Sequence, residues 1–308
     1  MPVSEAMSPA GISSFFEICD RDADGEVLTD HARIGARGGG FALERGVRTR
    51  VETRKSRKTK ISIRINSEPA PEANTTRWAL QRLLKMTETA LDVRVEVQTR
   101  IPIASGFGTS AAGTAASCLA LADAEGLPVT FTELGRITHV AEVLNRTGLG
   151  TAAALFVGGF VLVTEPGAPG VGSVDRLLFP RDHVLVCAHF GPMPTREALS
   201  KVDLARRVNP AAQRAMKDVR SDPSLHTFLN AARRFGHETG IGTTRVGQVI
   251  ETLLSAGAVG AAQNMIGDAV HAVAERGRAD RIARRVRASF PLARVFVSEL
   301  DEQGVRLG

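Results

Sequence analysis

Residues 93–99, Val-Arg-Val-Glu-Val-Gln-Thr, alternate apolar and polar side chains at every step, the period of a half-buried strand. Further alternations over 46–53 and 61–65 predict two more strands, and the basic run 54–60 between them reads as a charged hairpin. Over 75–89 the period lengthens, so that Trp78, Leu80, Leu83, Leu84 and Met86 share one face of a helix. A second helix is expected over 131–145, with Leu134, Ile137, Val140, Ala141 and Leu144 as its apolar side and Thr132 as N-cap. Buried strands are expected over 160–163 and 184–188, and helices over 195–207, 210–220, 224–235 and 245–255. A strand at 268–273, an Arg-rich helix at 280–289 and a strand at 294–300 close the chain. Pro166-Gly167-Ala168-Pro169-Gly170 interrupts regular structure, and a boundary near it divides the chain into domains 1–175 and 176–308.

The alternating strand at 93–99 runs straight into Ile101-Pro102-Ile103-Ala104-Ser105-Gly106-Phe107-Gly108-Thr109-Ser110-Ala111-Ala112, beyond which an Ala-rich helix is expected. Gly106 and Gly108 permit backbone conformations closed to other residues, while Thr109 and Ser110 bring hydroxyls to the helix start. Free N–H groups at such a helix end attract anions, so the stretch reads as a phosphate cradle. No lysine follows the glycines, which excludes a Walker P-loop. Elsewhere, residues 8–20 read as a small-residue turn entering an apolar segment with the pair Phe15-Phe16. Residues 35–40 read as glycine turns around Arg37, a side chain able to grip a carboxylate or phosphate. His139 and Glu142, three apart on one helix, can face a site together.

A length of 308 residues with 43% hydrophobic and 23% charged residues fits a globular protein of two domains. The net charge of +6 suits anionic ligands. With 5% aromatic residues and no tyrosine, base-stacking surfaces are scarce, which argues against nucleic acid as the partner. Cys19, Cys118 and Cys187 lie too far apart for a zinc or disulfide framework, and no apolar run approaches the roughly 20 residues of a membrane span. A cytoplasmic protein without membrane attachment is the expectation.

The loop at 102–112 resembles the phosphate loop of the GHMP kinases (galactokinase, homoserine, mevalonate and phosphomevalonate kinases), whose pattern is Pro, three residues, then Gly-Leu-Gly-Ser-Ser-Ala-Ala. Further matches at Pro9 to Phe16, Gly35 to Gly40, Thr138 to Glu142, Thr147 to Thr151 and 263–267 resemble the archaeal pantoate kinase branch of that superfamily. The resemblance implies an α+β fold, with an N-terminal domain like that of a ribosomal small-subunit protein and a C-terminal ferredoxin-like domain. It implies ATP and Mg²⁺ as cofactors and phosphorylation of pantoate to 4-phosphopantoate on the route to coenzyme A. By position, Pro102, Gly106, Gly108, Thr109, Ser110 and Ala111 would embrace the triphosphate, and Ser110 and Glu142 would hold Mg²⁺. His139 would stand with them at the reacting centre, while Arg37, His139, Arg146 and Thr151 would face the substrate. A homodimer is compatible with it.

At Thr151 much of the superfamily carries an aspartate that accepts the proton of the attacking hydroxyl. Threonine cannot act as that base. Either a loose transition state needs little assistance, or another carboxylate such as Asp20 or Glu17 substitutes, or catalysis is weakened. Gly11, Ala36 and Val163 replace the family's His, Ser and Arg. A mevalonate-like or homoserine-like alcohol, and a non-catalytic nucleotide- or RNA-binding relative, are the alternative readings.

Overall fold

The computed structural model describes residues 1–191, 202–265 and 267–308. Strands β1 (Val3–Cys19), β2 (Gly35–Lys55), β3 (Lys60–Ile65), β4 (Glu68–Pro69), β5 (Leu91–Thr99), β6 (Phe160–Glu165), β7 (Ser173–Leu177) and β12 (Arg306–Leu307) build the first sheet. Its order is β12-β1-β2-β5-β3-β4, with β6 on the glycine-rich start of β2 and β7 outside β6. Helices α1 (Asn74–Leu84), α2 (Thr109–Ala124), α3 (Phe131–Asn145) and α4 (Thr151–Val157) accompany it. Every residue of α2 from Ala111 to Ala122 is buried, because its small side chains let α1, α3 and the sheet close around it.

The second sheet, β11-β8-β10-β9, comprises β8 (His183–His189), β9 (Gly260–Gln263), β10 (Ala269–Glu275) and β11 (Arg294–Ser298), all neighbours antiparallel. Helices α5 (Val202–Ser221), α6 (Leu225–Thr239) and α7 (Thr244–Ser255) lie between β8 and β9, and α8 (Arg276–Ser289) between β10 and β11. In chain order the strands run centre (β8), edge (β9), centre (β10) and edge (β11), with helices after β8 and after β10, the expected ferredoxin-like arrangement. Val246, Val249, Leu253, Ile282 and Val286 pack on one face of this sheet. Its other side joins Phe15, Phe41 and Phe160 of the first sheet and Phe228 and Phe235 of α6 in a single core. Phe41 stacks on Phe160 at 4.7 Å within the first sheet, and Phe228 meets Phe160 edge-on at 4.6 Å, so α6 is held to the first sheet by aromatic contact.

Several local expectations are corrected. β2 and β3 do not form a hairpin: β5 inserts between them, antiparallel to β2 and parallel to β3. The basic link crosses the end of β5, where the Ser56 amide donates to the Ala90 carbonyl, and its side chains face solvent. Residues 8–11 and 35–40 are strand, not turn. β1 and β2 pair across them through two register shifts, and a side chain on Gly40 would collide with the Ile12 carbonyl oxygen. Thr130, not Thr132, caps α3 by accepting from the Glu133 amide. Helix α5 runs through Pro210 rather than stopping there, and residues 195–201 lie outside the described residues. The first helix stops at Leu84, short of 89. The cut at 175 falls inside β7, which pairs with β6, and β12 returns to β1, so the first sheet owns both segments.

Candidate active site

Strand β5 delivers the chain to the loop 100–108, and Gly108 opens α2 with φ +60° and no side-chain cap. The first amides of α2 are therefore left without a side-chain cap, as an anion site requires. Ala104 and Gly106 also take positive φ, +57° and +79°. Phe107 is wholly buried and rests 5.4 Å from Phe296, which anchors the loop to the second sheet. The Gly11 amide donates to the Phe107 carbonyl at 3.0 Å, tying the loop to β1. From the turn between β9 and β10, Gly267 presses on Gly106 closely enough that a Cβ on Gly267 would sit 3.0 Å from the Gly106 Cα.

Two cavities meet on this loop. One is lined by Ile63, Ile65 and Val97 of the sheet, Glu72 to Thr76 at the start of α1, and Thr109 and Ser110. The other lies between β1, β2, β6 and α4, with Ile12, Phe16, Leu155, Val161, Val163 and Met265 on its apolar wall. Gly106, Gly108 and Thr147 line both. The loop and the uncapped start of α2 separate them; the first is called the donor chamber and the second the acceptor chamber, after the roles proposed for them below.

Glu142 lies between the chambers. Its Oε1 accepts from Ser110 Oγ at 2.6 Å and from Thr147 Oγ1 at 2.7 Å, and Thr147 Oγ1 in turn meets Thr75 Oγ1 at 3.1 Å. Oε2 takes no hydrogen bond among the described residues and abuts Gly148 on the acceptor side. The carboxylate is 3% exposed; burial pushes its pKa above the ordinary value, and the Ser110 and Thr147 hydroxyls partly offset this. Thr75 and Thr147 complete a hydroxyl chain that sequence reasoning did not single out, although Thr147 stands in the glycine turn that it did.

The remaining expected residues divide. Thr109 and Ser110 line the donor chamber, whereas Pro102 and the fully buried Ala111 line neither chamber and shape the loop from outside. Thr151 lines the acceptor chamber, its Cγ2 filling the space beside Gly11 and Gly108. Arg37 also lines it, but its Nε and Nη2 bind Glu17 Oε2 at 2.8 and 2.7 Å, while Glu17 Oε1 accepts from Gln213. Glu17 is thus committed to Arg37, and neither Glu17 nor Asp20 lines the chamber. His139 is buried away from it; its Nε2 pairs with the Ile34 carbonyl at 2.8 Å, and burial lowers its pKa. That placement corrects its expected contact with substrate: His139 ties α3 to the entry of β2. Arg146, the left-handed C-cap of α3, is exposed and lines neither chamber.

This chain belongs to the GHMP kinases. Family profiles described as GHMP kinases N terminal domain and GHMP kinases C terminal match residues 74–159 and 215–292, together more than half of the chain. It is therefore an ATP-dependent small-molecule kinase. A curated pantoate kinase of Thermococcus kodakarensis is 28% identical over 240 residues, covering 77% of this chain and 76% of that protein. One from Methanocaldococcus jannaschii is 24% identical over 272 residues, covering 87% and 92%. Among solved structures, a phosphotransferase related to the coenzyme A biosynthesis pathway superposes with a TM-score of 0.89 at 22% identity, over 99% of this chain and 98% of that one. A homoserine kinase from Cytophaga hutchinsonii does so with 0.72 at 18%, over 100% and 98%. These structures share the fold. No described helix is long and apolar enough to cross a membrane.

Proposed function

We propose that this kinase transfers the terminal phosphoryl group of ATP to the primary hydroxyl of pantoate, giving 4-phosphopantoate. The observation that carries the reading is the junction of the chambers: Ser110 lines the donor side, and its partner Glu142 abuts Gly148 of the acceptor side. The names of the curated relatives, which match over most of this chain, support pantoate as acceptor. So does the chemistry of the wall. Leu155, Val161, Val163 and Met265 suit a quaternary dimethyl carbon, and Arg37, the one charged residue on the described wall, would take the carboxylate.

Ser110 and Glu142 are also the residues that would hold Mg²⁺. Their hydroxyl and carboxylate are the hard oxygen donors this ion takes when phosphate and water complete its shell, and they already lie 2.6 Å apart. When bound, the ion supplies charge neutralisation to the phosphate oxygens. The chain itself binds the triphosphate at the free amides of α2 and orients the acceptor against β1 and β6. With no carboxylate on the described wall, transfer relies on positioning and charge, and the proton of the acceptor hydroxyl passes to an oxygen of the transferred phosphoryl group. A cytoplasmic location belongs to the same proposal.

The test is ADP release with ATP and Mg²⁺ across pantoate, pantothenate, mevalonate and homoserine. Turnover confined to pantoate is expected. Turnover on mevalonate or homoserine instead would replace the substrate, and ATP binding without turnover on any of the four would refute the reading.

A further inference from the structure

His271 on β10 is wholly buried in the shared core, more than a hundred residues from the phosphate loop in sequence, and belongs to no motif above. Its Nε2 lies 2.9 Å from Ser14 Oγ of β1, and its Nδ1 lies 2.9 Å from Asn264 Oδ1. The Asn264 amide nitrogen in turn donates to the Gly106 carbonyl, a long bond of 3.4 Å. The direction of the whole chain follows from that last bond. Asn264 must present its oxygen to the imidazole, so Nδ1 carries the proton and donates, and Nε2 accepts from the Ser14 hydroxyl. Burial pushes the imidazole pKa down to about 3, so the neutral tautomer persists at any working pH.

Both ends of this chain of bonds reach the chamber walls: Gly106 lines both chambers, and Ser14 sits between Ser13 and Phe15 of the acceptor wall. The Met265 amide, next to Asn264, donates to Ser13 O at 2.9 Å, and the Gly11 amide binds Phe107 O, so β1 and the loop are braced from both sides. Fixing the Gly106 carbonyl also fixes the Phe107 amide, because the peptide between them is planar. Phe107 lines the donor chamber, and Gly106 lines both chambers. In a loop where Ala104, Gly106 and Gly108 all take positive φ, that peptide has alternative orientations that only an external partner can suppress.

We propose that Asn264 and His271 act as a positioning pair, through which the C-terminal domain holds the Gly106–Phe107 peptide of the phosphate loop in its nucleotide-binding orientation. The inference rests on the kinase reading of the loop but not on the identity of the acceptor. Its test is therefore nucleotide affinity, measured by calorimetry with a non-hydrolysable ATP analogue and Mg²⁺, with the melting temperature followed in parallel.

Asn264→Ala is expected to weaken analogue binding roughly tenfold, the loss of about one buried hydrogen bond and its orientation. His271→Leu should do the same. His271→Asn, whose amide can still donate where Nδ1 did, is expected to recover binding to within about threefold of the parent. Ser14→Ala, the smallest of these changes, frees only Nε2; it should weaken binding about threefold and serves as the readout if the Asn264 and His271 variants do not fold. Lower melting temperatures with unchanged affinity in all of them would reduce the pair to core packing and overturn the proposal. Equal losses in His271→Asn and His271→Leu would overturn it as well. If the parent binds the analogue but turns over no acceptor, the substrate reading fails while this test still decides the pair.

Discussion

Ser110 Oγ donates to Glu142 Oε1 across 2.6 Å, joining the first turn of α2 to α3 at the boundary between the two chambers. Glu142→Gln keeps an acceptor for both hydroxyls and removes the charge. Turnover is expected to fall at least about 100-fold, the scale of losing one charge-stabilising group at a transition state. The same variant should melt higher, by roughly 2 °C, because it relieves a buried carboxylate of its desolvation cost. Retained activity, or a lower melting point together with retained activity, would contradict the assignment.

The pH dependence follows from the same group. Its folded pKa is raised above its unfolded value, so protonation stabilises the fold: that contribution is fully present below the unfolded pKa and is lost as pH rises through the folded one. Activity runs the opposite way, since only the charged form can hold a metal ion. The acid limb of kcat/KM, which reports the free enzyme before metal and nucleotide bind, is expected above the ordinary carboxylate range. Thr147→Val, which deletes one of the two hydrogen bonds holding the charge, should move that limb to higher pH. A limb that stays put in Thr147→Val would assign it to another group.

A methyl added at Gly108 would stand 2.7 Å from Thr151 Cγ2, at a residue with φ +60°. Gly108→Ala is expected to weaken ATP binding about tenfold or more through both the clash and the strained backbone. Adding Thr151→Ser removes the opposing methyl and should restore part of the loss, which nucleotide titration of the single and double variants would show. Thr151→Asp alone is expected to change kcat by less than about tenfold, because phosphoryl transfer through a loose transition state needs little base. A gain of orders of magnitude would show that the missing carboxylate limits the reaction.

Arg37 and Arg146 separate by location. Arg37→Ala should raise KM for pantoate about tenfold or more, and it should also lower stability, since Glu17 is 5% exposed and loses its cation. Arg146→Ala, outside both chambers, should leave KM within about twofold of the parent. Steady-state kinetics on the two variants distinguishes them, and an unchanged KM in Arg37→Ala would remove it from the carboxylate site.

What could be read directly from the chain was local. The alternation in β5, the uncapped glycine entry to α2 and the spacing of His139 and Glu142 are short-range patterns, and the first two meet in the loop where they were expected. The third shows the limit. Three residues apart on α3, Glu142 turns toward Ser110 while His139 turns beneath Ile34, and only the packing of β2 decides between them. The glycines of 35–40 misled for a related reason. Their small size serves close strand approach at the register shift opposite Ser13 and Phe15, which looks like turn chemistry until β1 is laid alongside. The insertion of β5 between β2 and β3 is likewise a long-range choice, made by sheet order rather than by the link sequence. His271 left no local trace, because Ser14 comes from β1 at the other end of the chain and the neighbouring Asn264 matters only through its bond to the distant Gly106.

The most direct measurement is phosphorus NMR of the parent protein and Glu142→Gln, each incubated with ATP, Mg²⁺ and pantoate. A phosphomonoester resonance coupled to the pantoate C4 methylene is expected to appear with ADP in the parent and to be absent in the variant. Inorganic phosphate as the sole product in the parent, or the same phosphomonoester formed at an undiminished rate by Glu142→Gln, would contradict it.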